Sequence, residues 1–380
     1  MNKLTKGYAT AEATAQYANK MKAVVAEGHY SDFLSTKIKL SSLGIGTFPG
    51  TLEAETDEQV VQIIVNGIGA GINVIDTAAH YRHGRSLAAV GAGLKASFEH
   101  GIPREAVFTV SKGGFLTLRG GRPDDIESWF EKEIVAKGLG SKDDLAGKMH
   151  LLSPAYINYQ IDLSRKLMGL ETLDVFLVDQ PEVHIPFIGK EETNNKLLKV
   201  FVQLEKAIQE NKIRHYGIST FDGMRVETDD IKFQSLTSMI GLAEKAAQAV
   251  HGIGAKHGFS VVQAPFNHVM TEAFTRFSHA TGQGNVASTL QAAYQLGIYV
   301  MASHTLMKGH LALPENDQLL AFLPALANAA QRAIQFNRST PGLGTSLVGM
   351  SQVSHLDDVL AISRTPPVSK TDYLALYSNV

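Results

Sequence analysis

Gly71-Ile72-Asn73-Val74-Ile75-Asp76-Thr77-Ala78-Ala79-His80-Tyr81 is the stretch on which the fold turns. An apolar, β-branched run ends in an acid, and a tyrosine follows five residues later. A second run, Ala106-Val107-Phe108-Thr109-Val110-Ser111, ends in Lys112. A third, Leu173-Asp174-Val175-Phe176-Leu177-Val178, ends in Asp179. Free tyrosine has a pKa near ~10. A neighbouring ammonium stabilises the phenolate, so Lys112 is expected to bring Tyr81 closer to working pH.

Working outward, similar runs recur along the chain. Strands are expected near Leu43–Thr47, Ile72–Ile75, Val107–Ser111, Val175–Val178, His215–Ile218, Ser260–Ala264, Ile298–Ala302 and Ser346–Val348. Helical patterns separate them at Asp57–Gly67, Ser86–Phe98, Tyr156–Met168, Lys196–Gln209 and Gly241–His257. Gly71, Gly169, Gly258 and Gly297 close helices just before strands. This alternation implies parallel strands with crossover helices, and eight such units imply a closed (β/α)8 TIM barrel.

The reading is one barrel domain over residues 1–380, with the barrel itself at about 40–362. An N-terminal helical extension (1–39) carries a helix at Ala9–Glu27 outside the barrel, and a C-terminal tail covers 363–380. Two long βα loops, Gly113 to about Met149 and Asp222–Phe233, are expected to shape the pocket. Gly67-Ile68-Gly69-Ala70-Gly71 mimics a dinucleotide loop, but it ends a helix and precedes a strand, so it reads as a helix C-cap.

Composition excludes other classes. The 380 residues are 44% hydrophobic, enough for a large core. Lys+Arg is 35 against Asp+Glu 37, which leaves no nucleic-acid surface or polybasic membrane patch to expect. There are no cysteines, so disulfide and thiolate chemistry are excluded. The first residues, Met1 to Lys22, have no apolar signal core, and the chain is expected to be cytoplasmic. His80 and His83 have no third ligand nearby, so no metal is expected and the two line the substrate pocket or face solvent.

Five motifs in order resemble the aldo-keto reductase superfamily. They are Gly71 to Tyr81, Val110-Ser111-Lys112-Gly113-Gly114, Lys212 to Thr220, Val262-Gln263-Ala264-Pro265-Phe266-Asn267, and Pro341 to Met350. The resemblance implies a nicotinamide-dependent oxidoreductase acting on the carbonyl, hydroxyl or conjugated enone of a small molecule. It implies Tyr81 as general acid, Lys112 as its tuning ammonium, and Asp76 as the holder of Lys112. Ser219 and Gln263 would bind the nicotinamide carboxamide. The loops after the seventh and eighth strands would meet the phosphates. The expected cofactor contacts are Thr47, Asp76, Ser219, Thr220, Gln263, Ser303, Leu306, Lys308, Gly349, Ser351 and His355. NADP is the form the resemblance favours, with NAD the alternative.

Three features depart from the family pattern. Thr220 stands where Asn is more usual. Ser86 is followed by Leu87 rather than Glu, and Ser86 is expected to cap its helix. Most important, Val178-Asp179-Gln180-Pro181 replaces a strand–His–x–Pro pattern whose His donates to the substrate carbonyl. An ionised Asp only accepts. Asp179 is therefore a neutral acid that donates, an ionised base that favours oxidation, or the mark of a non-catalytic or redox-neutral barrel: a sensor, a partner subunit, or an isomerase- or lyase-like enzyme that retains its cofactor. His184 offers a substitute imidazole by folding back, although a surface-loop position is the stronger expectation for it. The phosphate loop has no permanent cation of its own, and Arg338 and Lys308 are the basic residues expected to approach it.

Overall fold

The computed structural model describes residues 3–281 and 284–377. Eight parallel strands close into a barrel. In chain order they are β1 (Leu43–Gly46), β2 (Val74–Asp76), β3 (Phe108–Gly113), β4 (Leu173–Asp179), β5 (Ile213–Ser219), β6 (Phe259–Pro265), β7 (Tyr299–Ser303) and β8 (Thr345–Gly349). Each pairs with its sequence neighbours, and β8 pairs with β1 to close the ring. Every expected strand is present. The expected helix at Gly241–His257 lies earlier, at Leu236–His251, because Ser235 caps it and the chain turns at Gly252. The glycine-rich decoy does end a helix, Ala54–Gly69.

Side chains alternate across a strand. Val74, Phe108, Val110, Val175, Leu177, Val261, Met301 and Leu347 therefore point into the barrel and fill it. Two residues further along, the same inward rows reach Asp76, Lys112, Asp179, Gln263 and Ser303 at the C-terminal rim. Register then sets their height: Asp179 pairs with Ser219, and Ser219 pairs with Gln263.

The opposite end is plugged by a hairpin, Tyr30–Phe33 and Ile38–Ser41, that precedes β1. No strand was expected there. Phe33 is fully buried and packs its ring on Phe108, His215 and Tyr299 at centroid distances of 5.0, 5.1 and 5.1 Å. The N-terminal helix runs Ala11–Met21, shorter than expected, with Thr10 as its cap. In the C-terminal segment a helix at Lys370–Ala375 buries Tyr373 against Phe336 and Phe274.

Asp174, at the start of β4, ties the N-terminal segment to the barrel. Its Oδ2 accepts from the Arg104 guanidinium, the Thr109 amide and the Thr109 hydroxyl, each at 2.8 Å. Its Oδ1 accepts from the Ala9 amide at 2.6 Å. Removing one partner of a buried pair strands the other charge, typically at ~3–5 kcal/mol. Asp174→Ala is therefore expected to lower unfolding free energy by about that amount, measured by urea titration. A loss below ~1 kcal/mol would show that the clamp does not stabilise the fold.

Candidate active site

Lys112 has no exposed surface. Its Nζ donates to Asp76 Oδ2 at 2.7 Å, to the Thr77 carbonyl at 3.1 Å and to the Tyr81 hydroxyl at 3.1 Å. Asp76 is held from its other side by the Gln263 amide, Nε2 to Oδ1 at 3.0 Å. Ser219 in turn donates to Gln263 Oε1 at 3.2 Å. Residues from β2, β3, β5 and β6 thus form one hydrogen-bonded layer with Tyr81 at its edge.

Burial raises the Tyr81 pKa, and this outweighs the lowering by Lys112. Asp76 and Asp179 push it up further. The expectation that Lys112 brings the phenol down is thus corrected for this state: the neighbour acts in that direction, but desolvation wins. The phenol stays protonated. Burial opposes the Lys112 charge, while Asp76, Tyr81 and Asp179 favour it enough to hold its pKa above the ordinary value.

Asp179 is buried at the end of β4 and lines the same cavity. Burial raises its carboxyl pKa to about 6. Lys112 and the Ser219 hydroxyl resist that rise, while Glu182 and Asp76 add to it. The sequence did not mark His80 as a partner of the Asp179 carboxyl group. His80 Nε2 lies 3.6 Å from Asp179 Oδ2. Burial, then Lys112 and His150, lower the His80 pKa to about 3, so the ring is neutral. It packs edge-on to Tyr81, with centroids 4.8 Å apart.

His184 neither substitutes for the missing donor nor sits on a surface loop. It is buried and pairs its Nε2 with His150 Nδ1 at 2.9 Å, while His150 Nε2 meets the Asp179 carbonyl at 2.6 Å. A carbonyl only accepts, so His150 donates from Nε2 and receives His184's proton at Nδ1. This chain fixes the backbone at Asp179. It also explains Gly114, at φ +132°: a Cβ there would lie 2.5 Å from His150 Nε2 and 3.1 Å from the Asp179 carbonyl.

The cavity measures about 610 Å³. Asp76, Tyr81, Asp179, Ser219, Thr220, Gln263, Ser303, Leu306, Lys308, Gly349, Ser351 and His355 line it. Lys112 lies directly beneath. Thr47 does not line it; that residue is buried, with its amide and hydroxyl both donating to the Asp76 carbonyl, at 3.1 and 3.2 Å. Ser86 is not a helix cap. The helix starts at Arg85, and Ser86 donates to the Thr47 carbonyl at 2.8 Å. Arg338 is buried away from the cavity, where it donates to the Ile362 and Thr365 carbonyls. His80 lines the pocket and His83 does not. No group of three metal-ligating side chains occurs among the described residues.

The two long loops line the cavity less than expected. None of residues 113–149 and none of 222–233 reaches the lining. The first instead builds a core of its own from Leu116, Leu118, Phe130, Ile134, Leu151 and Tyr156. Phe48, Pro49 and Phe221 line the cavity without having been singled out, while His304 and Thr305 line it from the Ser303–Leu311 loop expected to meet the phosphates. Glu182 was missed too: its Oε1 accepts from the Thr220 hydroxyl and the Phe221 amide at 2.7 Å each, and it shapes the β5 loop.

The lining suits a dinucleotide. The Thr305 hydroxyl is buried against the cavity with no partner. The β7 loop carries His304, Met307, Lys308 and Gly309 at φ of 57, 46, 57 and 96°. Left-handed turns of this kind gather backbone N–H groups into anion-binding concavities. Lys308 forms no ion pair among the described residues.

Known proteins share this architecture. The chain is 28% identical over 193 residues to the NADH-specific methylglyoxal reductase of Escherichia coli, covering 50% of this chain and 51% of that protein. It is 27% identical over 189 residues to the 9,11-endoperoxide prostaglandin H2 reductase of Trypanosoma cruzi, covering 50% and 47%. The chain thus spans about half the length of the curated relatives it matches. The glycerol dehydrogenase of Gluconobacter oxydans superposes with a TM-score of 0.63 at 16% identity, over 93% of this chain and 98% of that one. An aldo/keto reductase from Klebsiella pneumoniae, in complex with NADP and acetate, gives 0.57 at 17%, over 91% and 95%. These likenesses carry the fold. The Aldo/keto reductase family profile matches residues 42–378, and the chain belongs to that family.

Proposed function

We propose that the chain reduces the carbonyl, or the carbonyl-conjugated double bond, of a small molecule with a nicotinamide dinucleotide. The observation that carries the reading is the Asp76–Lys112–Tyr81 contact at the cavity floor. The names of both curated relatives, each a reductase, support reduction as the direction. The dinucleotide would supply the hydride. Ser219 and Gln263 have hydrogen-bonding capacity left for a carboxamide, and the β7 loop with Lys308 suits the diphosphate.

Tyr81 gives its proton to the substrate oxygen as charge develops there. Lys112 stabilises the phenolate left behind, and Asp76 keeps Lys112 in place. Asp179 acts on the same oxygen. Below about pH 6 it is protonated and donates a hydrogen bond, the task a strand-4 histidine performs in the family pattern. Above that pH it only accepts, which favours the reverse reaction, oxidation of a hydroxyl.

Tyr81→Phe is expected to lower kcat by ~10³-fold while dinucleotide affinity, read by fluorescence titration, stays close to the parent's. Retained turnover would remove Tyr81 from the chemistry. The sign of the pH effect follows from the raised carboxyl pKa. Reduction should accelerate as pH falls through about 6 and then level off. Asp179→Asn should flatten that limb, and Asp179→His should shift preference from an enone towards a simple aldehyde. If both variants keep the parent's profile on one aldehyde and one enone, Asp179 is only a structural residue of the β4 loop.

A further inference from the structure

Besides Tyr81, the cavity is lined by residues of the β7 and β8 loops and of the helix after β8, among them Lys308, Ser351, His355 and Asp358. A dinucleotide with its reacting ring beside Tyr81 places its far ribose at the Ser351, His355 and Asp358 end. The two common forms differ there by one group: NADP carries a 2′-phosphate, and NAD carries a hydroxyl. A phosphate held at such a place needs a cation or free backbone N–H groups.

Ser351, His355 and Asp358 at that end include no Lys or Arg. Among the described residues Lys308 is the one Lys or Arg in the lining, and it sits on the β7 loop. That position suits the diphosphate, which both forms share. Asp358 lines the far end as a carboxylate. Its Oδ1 accepts from Asn328 and Gln331 at 2.8 and 2.9 Å, and its second oxygen has no partner among the described residues. Ser351 also forms the lip of an adjoining cleft, whose lining contains Glu53 and Glu55 but no Lys or Arg. The helix Ser354–Ser363 begins at this lip, yet its anion-binding capacity is reduced. Gln59 Oε1 already accepts from the Val353 amide at 2.9 Å, and Asp357 sits in the first turn.

We propose that this chain binds NAD(H) in preference to NADP(H), and that Asp358, with Glu53 and Glu55 across the adjoining cleft, enforces the choice. A ribose diol can donate to a carboxylate. A 2′-phosphate meets repulsion instead, and Arg82, the guanidinium beside Glu53, is buried and already paired with Asp57. The inference rests on the nicotinamide reading above and departs from the NADP expected by resemblance.

Calorimetric titration of the full chain with NADH and with NADPH, at pH 8 and low salt, tests it. NADH is expected to bind at least ~10-fold tighter. Added salt should narrow the gap by screening the repulsion. Ser351→Arg should tighten NADPH by at least ~10-fold. Both Glu53 and Glu55 are exposed, so Glu53→Gln/Glu55→Gln is a second variant with little risk to folding, and it should improve NADPH alone. Equal or tighter binding of NADPH by the parent overturns the selectivity and leaves the nicotinamide reading standing. Binding of neither dinucleotide overturns both.

Discussion

A lysine ammonium with no exposed surface persists only beside a carboxylate that cannot move away. Lys112 and Asp76 meet that condition at the barrel rim. Asp76 is immobilised from three directions: by Lys112, by Gln263 and through its carbonyl by Thr47. Each partner comes from a different strand or strand end, so the ion pair forms only when the barrel closes in register. Tyr81 then rests its hydroxyl on the same ammonium. Closure of the sheet and assembly of the site are one event.

The rim is also where the backbone departs from easy conformations. Arg82 and His83 follow Tyr81 with φ of 49 and 55°, and Gln180 follows Asp179 with φ of 49°. Left-handed residues other than glycine are uncommon and carry a local cost. Neighbouring bonds hold them. Arg82 donates to the Thr51 carbonyl at 2.6 Å and to Asp57 at 2.7 Å, and the Gln180 amide donates to the Ser219 carbonyl at 2.6 Å. The bends aim Tyr81 and Asp179 at one space from β2 and β4, the two strands that flank β3.

Charge at the floor is close to balanced and sensitive to one group. Asp76 and Lys112 cancel, so the protonation of Asp179 decides whether the space beside Tyr81 is neutral or negative. His80 and His150 meet Asp179 and His184 backs His150, and burial keeps all three rings neutral. An imidazole environment that carries no charge leaves the carboxyl without a counter-ion except Lys112, which Asp76 already engages.

Much of this was legible in the order of residues. Strand number and strand ends follow from local patterns, a β-branched run, a polar terminus and a helix, repeated eight times, and the motifs that resemble the family single out Asp76, Tyr81 and Lys112. Such patterns are properties of neighbours along the chain, and the chain displays them directly. Only the tertiary structure set Tyr81's pKa upward, put His80 beside Asp179, buried Arg338 and Thr47, and drew the long loops away from the cavity. Those outcomes depend on how many atoms from distant segments surround a group. Burial and charge act through space, and no single stretch of sequence contains that sum.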